Sequence, residues 1–305
     1  MEPLVTAVLT ALAASEYDRA TQKFPASVTP SEIVTLTVVA PLRSPQQPTP
    51  ILQHRLSVFK LSADQLETLK RAFTAIEEIK DQRGFWHWAG LHGTPGYDCE
   101  HSVRQFDSLF LPWHRAYLYQ LELALQTQVP GATLPWWDWP SSRTVGIPPA
   151  FGPAPAGEPP NPLAGSDMPP LANAPDGWPG HTSREPAPPA QLPDQATVDA
   201  VLELPHFDDF SLQLEQQLHN RVHVWTGGTM ANVPTAAYDP IFWAHHTMVD
   251  RVWSLWQVKH SSPGPPPQAW ATQLRAVDMT VGDVLSTERL GYDYAASAAS
   301  VGVDG

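Results

Sequence analysis

Six histidines carry the chemistry open to this chain: His92, His101, His114, a His219-x-x-x-His223 pair and His246, set in Trp-rich, apolar sequence. They fall into two groups of three with no carboxylate among them, a donor set that suits two adjacent metal ions softer than calcium or magnesium. His219 and His223, four apart on a helix, place both rings on one face, where they can grip one ion. Such a pair alone also fits two buried, hydrogen-bonded histidines, and zinc is a further rival. A helical zinc-protease motif, however, needs a glutamate after the first histidine as general base, and that position here is Asn220. Imidazole-only coordination brings no ligand charge to the ion, which suits copper cycling between two oxidation states while it binds dioxygen.

The elements that must present these rings are legible in part. Ser62 followed by Gln65 is a capping-box signature, and Leu66, Leu69, Phe73, Ile76 and Ile79 then repeat at helical spacing, which predicts a helix over about 63–80. Pro112 suits a first helical position, and Leu118, Leu121 and Leu125 share a stripe with His114, so that histidine faces the core. Leu212, Glu215, His219 and His223 follow one helical strip. Asp239 and Pro240 form an N-cap and first-position pair, opening a helix on which His246, Asp250 and Trp253 are stacked neighbours. Adjacent helical residues point about 100° apart, so His245 and His246 are not expected to face one ion together. Four helices delivering inward histidines describe a bundle with metals in its core.

Residues 33–40 and 55–59 read as short β segments of a small flanking sheet. Between Pro148 and Pro193 lie 15 prolines, a composition that stops both helix propagation and ladder hydrogen bonding, so residues 145–196 are expected to form a long surface loop. Because histidines on both sides of that loop complete one site, it is read as an excursion from a single domain spanning 1–305, with 1–50 as an N-terminal extension. The net charge of −13 and the lack of any Lys/Arg cluster exclude nucleic acid and anionic membrane as partners. The single cysteine, Cys99, excludes an internal disulfide and fits a reducing compartment. Leu4 to Ala14 is apolar, yet Glu2 and Pro3 precede it with no basic residue, so it reads as an amphipathic helix and not a signal peptide. No run approaches the roughly 20 apolar residues that span a bilayer, which predicts a soluble, cytoplasmic protein.

Six motifs occur in order: LHG (91–93), CEH (99–101), FLPWHRAYL (110–118), LPWWDW (134–139), LHNRVHVWTGG (218–228) and DPIFWAHHTMVDRVWSLWQ (239–257). Over roughly residues 55–295 the chain resembles the type-3 copper family of tyrosinases, catechol oxidases and haemocyanins. The resemblance implies a mainly α fold, a four-helix bundle holding a dicopper centre, with a small β element and long Pro-rich loops. It assigns His92, His101 and His114 to the first copper and His219, His223 and His246 to the second; His92, in a loop, rests on the resemblance alone. The interval from His101 to His114 is longer than the family's, as though a few residues were inserted at about 102–108, and it holds no other histidine. The resemblance selects His246 over His245, leaves His245 as a pocket wall behind the ligands, and puts Asp250 in support one turn later.

Cys99 resembles the cysteine that fungal-type members join to a ligand histidine, here His101, by a thioether that would leave the copper-free chain two hydrogens lighter; the alternative is a small buried free thiol. Glu215 and Asn220 match the pair that holds a water able to take the proton of a phenol, and phenolate is the better copper ligand and nucleophile. For Glu215 a solvated helix glutamate is the alternative. Val233 resembles the small apolar gate over the first copper, and Val224 is a second pocket-lining candidate. Arg55 and Tyr292-x-Tyr294 look like the family's motif in which a guanidinium packs on a ring, and LPWWDW, with Asp138, reads as scaffold.

The activity implied is that of a tyrosinase, using two copper ions and dioxygen as co-substrate to hydroxylate small monophenols in the ortho position and oxidise o-diphenols to o-quinones. A catechol oxidase or o-aminophenol oxidase is the alternative, and a haemocyanin-like dioxygen carrier the more distant one. A copper-loading protein is a further expected partner. Only about 50 residues follow the last motif, so no C-terminal plug over the pocket is expected, nor a need for proteolytic activation.

Overall fold

The computed structural model describes residues 53–93, 109–171 and 177–294, all within the compact unit Pro50–Gly305. The helix expected at 4–14, the strand at 33–40, Cys99 and His101 lie outside the described residues.

Helix α1 (Ala63–Glu78) starts where its cap requires: Ser62 Oγ accepts from the Gln65 amide while Gln65 Oε1 accepts from the Ser62 amide, and Leu69, Ala72, Phe73 and Ile76 form its buried stripe. A short helix, α2 (Phe85–Gly90), follows. Helix α3 (Phe110–Gln128) begins two residues before Pro112. The proline therefore sits third in the first turn, where its missing N–H is among those that no helix can satisfy internally. After α4 (Gln195–Leu202), capped by Asp194, the chain runs through α5 (Phe207–Gln213), a π-helical turn (Leu214–His219) and α6 (Asn220–Thr226) with right-handed helical backbone at both junctions. The buried strip here is Leu214, Glu215, Leu218, His219, Val222 and His223, so Leu214 takes the inward place expected for Leu212. A one-turn helix, α7 (Val233–Ala236), precedes α8 (Pro240–His260), whose N-cap Asp239 accepts from the Ile241 amide.

Helix α3 packs between α1 and α8, and α8 also meets the π-turn and α4. His114 comes from α3, His219 and His223 from the π-turn and α6, and His245 and His246 from α8. His92 comes from the turn closing α2, so among the described residues α3, the π-turn with α6, α8 and this turn deliver the rings.

The small sheet is a parallel pair, β1 (Gln53–Arg55) with β2 (Tyr292–Tyr294), in register Gln53 to Tyr292 and Arg55 to Tyr294. It is shorter than the 55–59 segment expected, because the chain past Arg55 turns to a single bridge between Ser57 and Trp136. Arg55 is fully buried, with its guanidinium 3.6 Å from the Tyr292 ring centre, 2.8 Å from Glu122 of α3 and 3.3 Å from Asp250 of α8. Asp250 also accepts from Arg115 Nε at 2.5 Å, from the Tyr292 hydroxyl at 2.7 Å and from the Tyr294 hydroxyl. Burial alone would raise this carboxyl, but Arg115 and Arg55 hold it below the usual carboxylate range.

The described part of the Pro-rich segment runs mostly over the surface but is anchored inward at several points. Phe151, Leu163, Ser166 and Met168 are all buried. Single turns at Pro149–Phe151 and Pro189–Gln191 serve the backbone, and the Asn161 amide donates to the carbonyls of Ala150 and Gly152. Side chains thus satisfy a backbone that proline bars from ladders.

Candidate metal centre

The buried rings form two overlapping sets: ligand-capable atoms of His92, His114 and His246 lie within 4.8 Å of one another, and so do those of His219, His223, His245 and His246. His246 Nε2 stands 3.3 Å from His219 Nε2 and 3.2 Å from His223 Nε2. His114 and His246 stack with ring centres 4.4 Å apart.

Four of the rings are oriented by oxygen acceptors. The Nδ1 of His92 faces the Val233 carbonyl (3.0 Å), that of His114 the Phe110 carbonyl (2.8 Å), that of His223 the Met230 carbonyl (2.8 Å) and that of His219 the Asn220 side-chain oxygen (2.9 Å). An oxygen acceptor requires N–H at Nδ1, so each Nε2 carries a lone pair. For His219 and His223 that lone pair meets the Nε2 of His246. This is the arrangement by which metal-binding imidazoles are held in one tautomer.

His245 differs. Its Nδ1 accepts from the Trp139 indole at 3.2 Å, which puts its proton on Nε2 and makes that nitrogen a donor, not a ligand. It is fully buried and stacks on His219 with ring centres 5.3 Å apart, so it does not line an open pocket. The 100° offset is absorbed by ring rotation: the two neighbouring imidazoles are inclined at 68° with centres 5.1 Å apart. Burial first, and then the crowding of His114, His219, His245 and His223, keep His246 neutral, its proton affinity well below the usual histidine range. Converging neutral lone pairs repel one another unless a cation sits among them, and soft or borderline ions prefer such donors. The residues present therefore fit copper.

Phe110 packs against His114 and His219, with ring centres 4.7 and 4.9 Å away, and Phe242 against His92 and His246, at 4.6 and 4.0 Å. Glu215 is buried on the same strip as His219, whereas Asn220 is exposed and engages the His219 ring. Val224 and Val233 are 71% and 46% exposed. Asp250, expected to support His246, is occupied by Arg55, Arg115 and the two tyrosines, and His246 Nδ1 has no hydrogen-bond partner among the described residues. Gly93 of the LHG motif has a plain reason: a Cβ there would lie 2.9 Å from Val233 Cγ1 and wedge apart the segment that holds His92.

The profile of the common central domain of tyrosinase matches residues 82–259, more than half of the chain and the whole stretch carrying these rings. The chain belongs to the tyrosinase family. Within this family of copper oxidoreductases it is 34% identical over 211 residues to the tyrosinase of Streptomyces lincolnensis, covering 56% of this chain and 71% of that one. The fold is similar to that of the Burkholderia thailandensis tyrosinase (TM-score 0.68, 24% identity, 81% of this chain and 74% of that one). It is similar also to a functional unit of octopus haemocyanin (TM-score 0.66, 25% identity, 80% and 68%). Relatives on both sides of the family thus share the helical frame, and no described helix is long and apolar enough to cross a membrane.

Trp139 and the carbonyls of Met230 and Val233 are functional groups that sequence reasoning missed. LPWWDW reads as scaffold, and a backbone carbonyl leaves no mark on residue identity.

Proposed function

We propose that the chain is a tyrosinase, hydroxylating small monophenols in the ortho position and oxidising the resulting o-diphenols to o-quinones. His219, His223 and His246 hold one copper ion, and His92 and His114, with His101 from beyond the described residues, hold the other. When bound, the copper pair would supply the redox chemistry by which dioxygen oxidises the phenol. The chain's own residues orient and deprotonate. Asn220 and Met230 keep the Nε2 atoms of His219 and His223 turned inward. Phe110 and Phe242 pack against the ligand rings and keep water from them. Val233 and Val224 form an apolar rim on which a phenol ring can lie. Glu215, buried one turn before His219, accepts the phenol O–H proton on its carboxylate, helped by Asn220. The observation that carries the reading is the meeting of three Nε2 atoms, two of them at 3.2 and 3.3 Å from the third, with a buried glutamate in the same π-turn as His219.

Glu215→Gln tests it on the copper-loaded protein. The expected result is a fall in monophenol hydroxylation of about a hundredfold, the scale of one proton-transfer catalyst, with diphenol oxidation changed far less. Equal loss on both would remove the assigned role. Diphenol oxidation with no monophenol turnover in the unaltered protein would favour a catechol oxidase. Reversible dioxygen binding with no turnover would favour the carrier function named for the octopus relative.

A further inference from the structure

The second histidine trio is split between two elements, with His219 and His223 on the π-turn and α6 and His246 on α8, so something must fix the distance between them. Residues 183–187 of the Pro-rich segment cross both. At one end Arg184 makes a two-pronged ion pair with Asp239, Nε to Oδ2 at 2.8 Å and Nη2 to Oδ1 at 2.5 Å, and Asp239 is the N-cap of α8. The remaining guanidinium donors bind the carbonyl of Phe151 and, at 3.0 Å, that of Leu163. Side-chain exposure is 9% for Arg184 and zero for Asp239.

At the other end the same strand of chain closes α6. The amides of Glu185 and Ala187 donate to the carbonyls of Thr226 and Trp225, both at 2.9 Å, two of the acceptors that a helix terminus leaves unpaired. Ser183 accepts from the Thr229 amide at 2.9 Å. Backbone meets backbone here: a Cβ on Gly227 would lie 2.5 Å from the Glu185 oxygen, and one on Gly228 2.2 Å from the Ser183 oxygen. Just beyond, Met230 presents the carbonyl that orients His223.

We propose that Arg184 is a positioning residue for the second copper: by clamping the N-cap of α8 to the segment that closes α6, it sets the separation of His246 from His219 and His223. The inference rests on the trio assigned above. Arg184→Gln alone would leave the Asp239 carboxylate buried without its counter-charge. The informative variant is R184Q/D239N, in which the asparagine keeps the cap acceptor. R184K, which keeps the charge but not the planar fork, is the second, and N161A, which frees the carbonyls of Ala150 and Gly152 and so loosens the Pro-rich segment while leaving the Arg184–Asp239 fork in place, is the control.

Each protein is loaded with copper and measured for copper per chain, for the EPR signal of the cupric form, and for the thermal midpoint before loading. Two cupric ions sharing a bridge couple their spins and are silent, whereas an isolated cupric ion gives a signal. R184Q/D239N should fall from about two coppers per chain to about one and become EPR-visible. In chelator competition R184K should hold its weaker copper about tenfold less tightly than the unaltered protein does. N161A should lose thermal stability yet keep two silent coppers. Two coupled coppers in R184Q/D239N, or equal copper loss in N161A, would overturn the role of Arg184 while leaving the trio intact. If R184Q/D239N does not fold, R184K decides, and unchanged affinity there overturns the role. Fewer than two coppers in the unaltered protein would overturn the trio itself, and this inference with it.

Discussion

A histidine ligand is defined as much by the nitrogen that does not touch the metal as by the one that does. In this site each of four Nδ1 positions faces an oxygen, and His245, whose Nδ1 faces the Trp139 indole N–H instead, is set apart by that alone. Trp139→Phe removes the donor and lets the His245 proton move to Nδ1, which frees Nε2 to compete for the metal. The copper content should stay at two while the EPR and visible spectra of the cupric protein shift, and the fold should lose about 1–2 kcal/mol from the missing hydrogen bond and a small void. Unchanged spectra would show that the tautomer of His245 has no bearing on the metals. His219 and His223 are legible from their spacing on a helix, and His246 from the family motif. The partner of His245 is not, because it lies 106 positions away.

At the level of elements, sequence periodicity finds α1 and α8 because their caps, Ser62 with Gln65 and Asp239 with Pro240, are local chemistry. It misplaces the start of α3 because a proline is tolerated anywhere in a first turn, and it misses the π-turn because one wider turn changes no residue type. That turn shifts the inward strip from Leu212 to Leu214 just before His219, in line with the frequent occurrence of such turns at functional sites. The two glycines after α6 have a physical cause: positive φ (67° and 53°) and a backbone pressed on them from residues 183–185. Gly228→Ala should therefore cost about 2 kcal/mol or more in urea unfolding, from the left-handed backbone and the clash together. A loss under about 0.5 kcal/mol would mean that the crossing chain yields easily.

Across the whole molecule the fold class and the grouping of His92, His114, His219, His223 and His246 were legible, whereas the packing of the Pro-rich segment was not, since its contacts are made by carbonyls and by isolated side chains such as Asn161 and Arg184. One such contact is pH-sensitive. Glu77 of α1 is pushed up to about 8 by burial; Lys80 pulls it back, and Asp167 from the Pro-rich segment adds a smaller upward push. Below about pH 4.5 the folded and unfolded chains both hold this proton; between there and about 8 only the folded chain does, so stability declines as pH rises through that window and levels off above it. Glu77→Gln should raise Tm by about 5 °C at pH 8.5 and leave it unchanged at pH 4; a shift of the same size at both values would rule out ionisation as the cause. The parallel pair joins segments far apart in the chain. Arg55 and Tyr294 are 239 positions apart, and every candidate ligand lies between them, so a chain emerging from the ribosome exposes all its imidazoles before the last strand arrives to lock α8 through Asp250. Any metal captured before that strand has been made and paired meets a half-built cage.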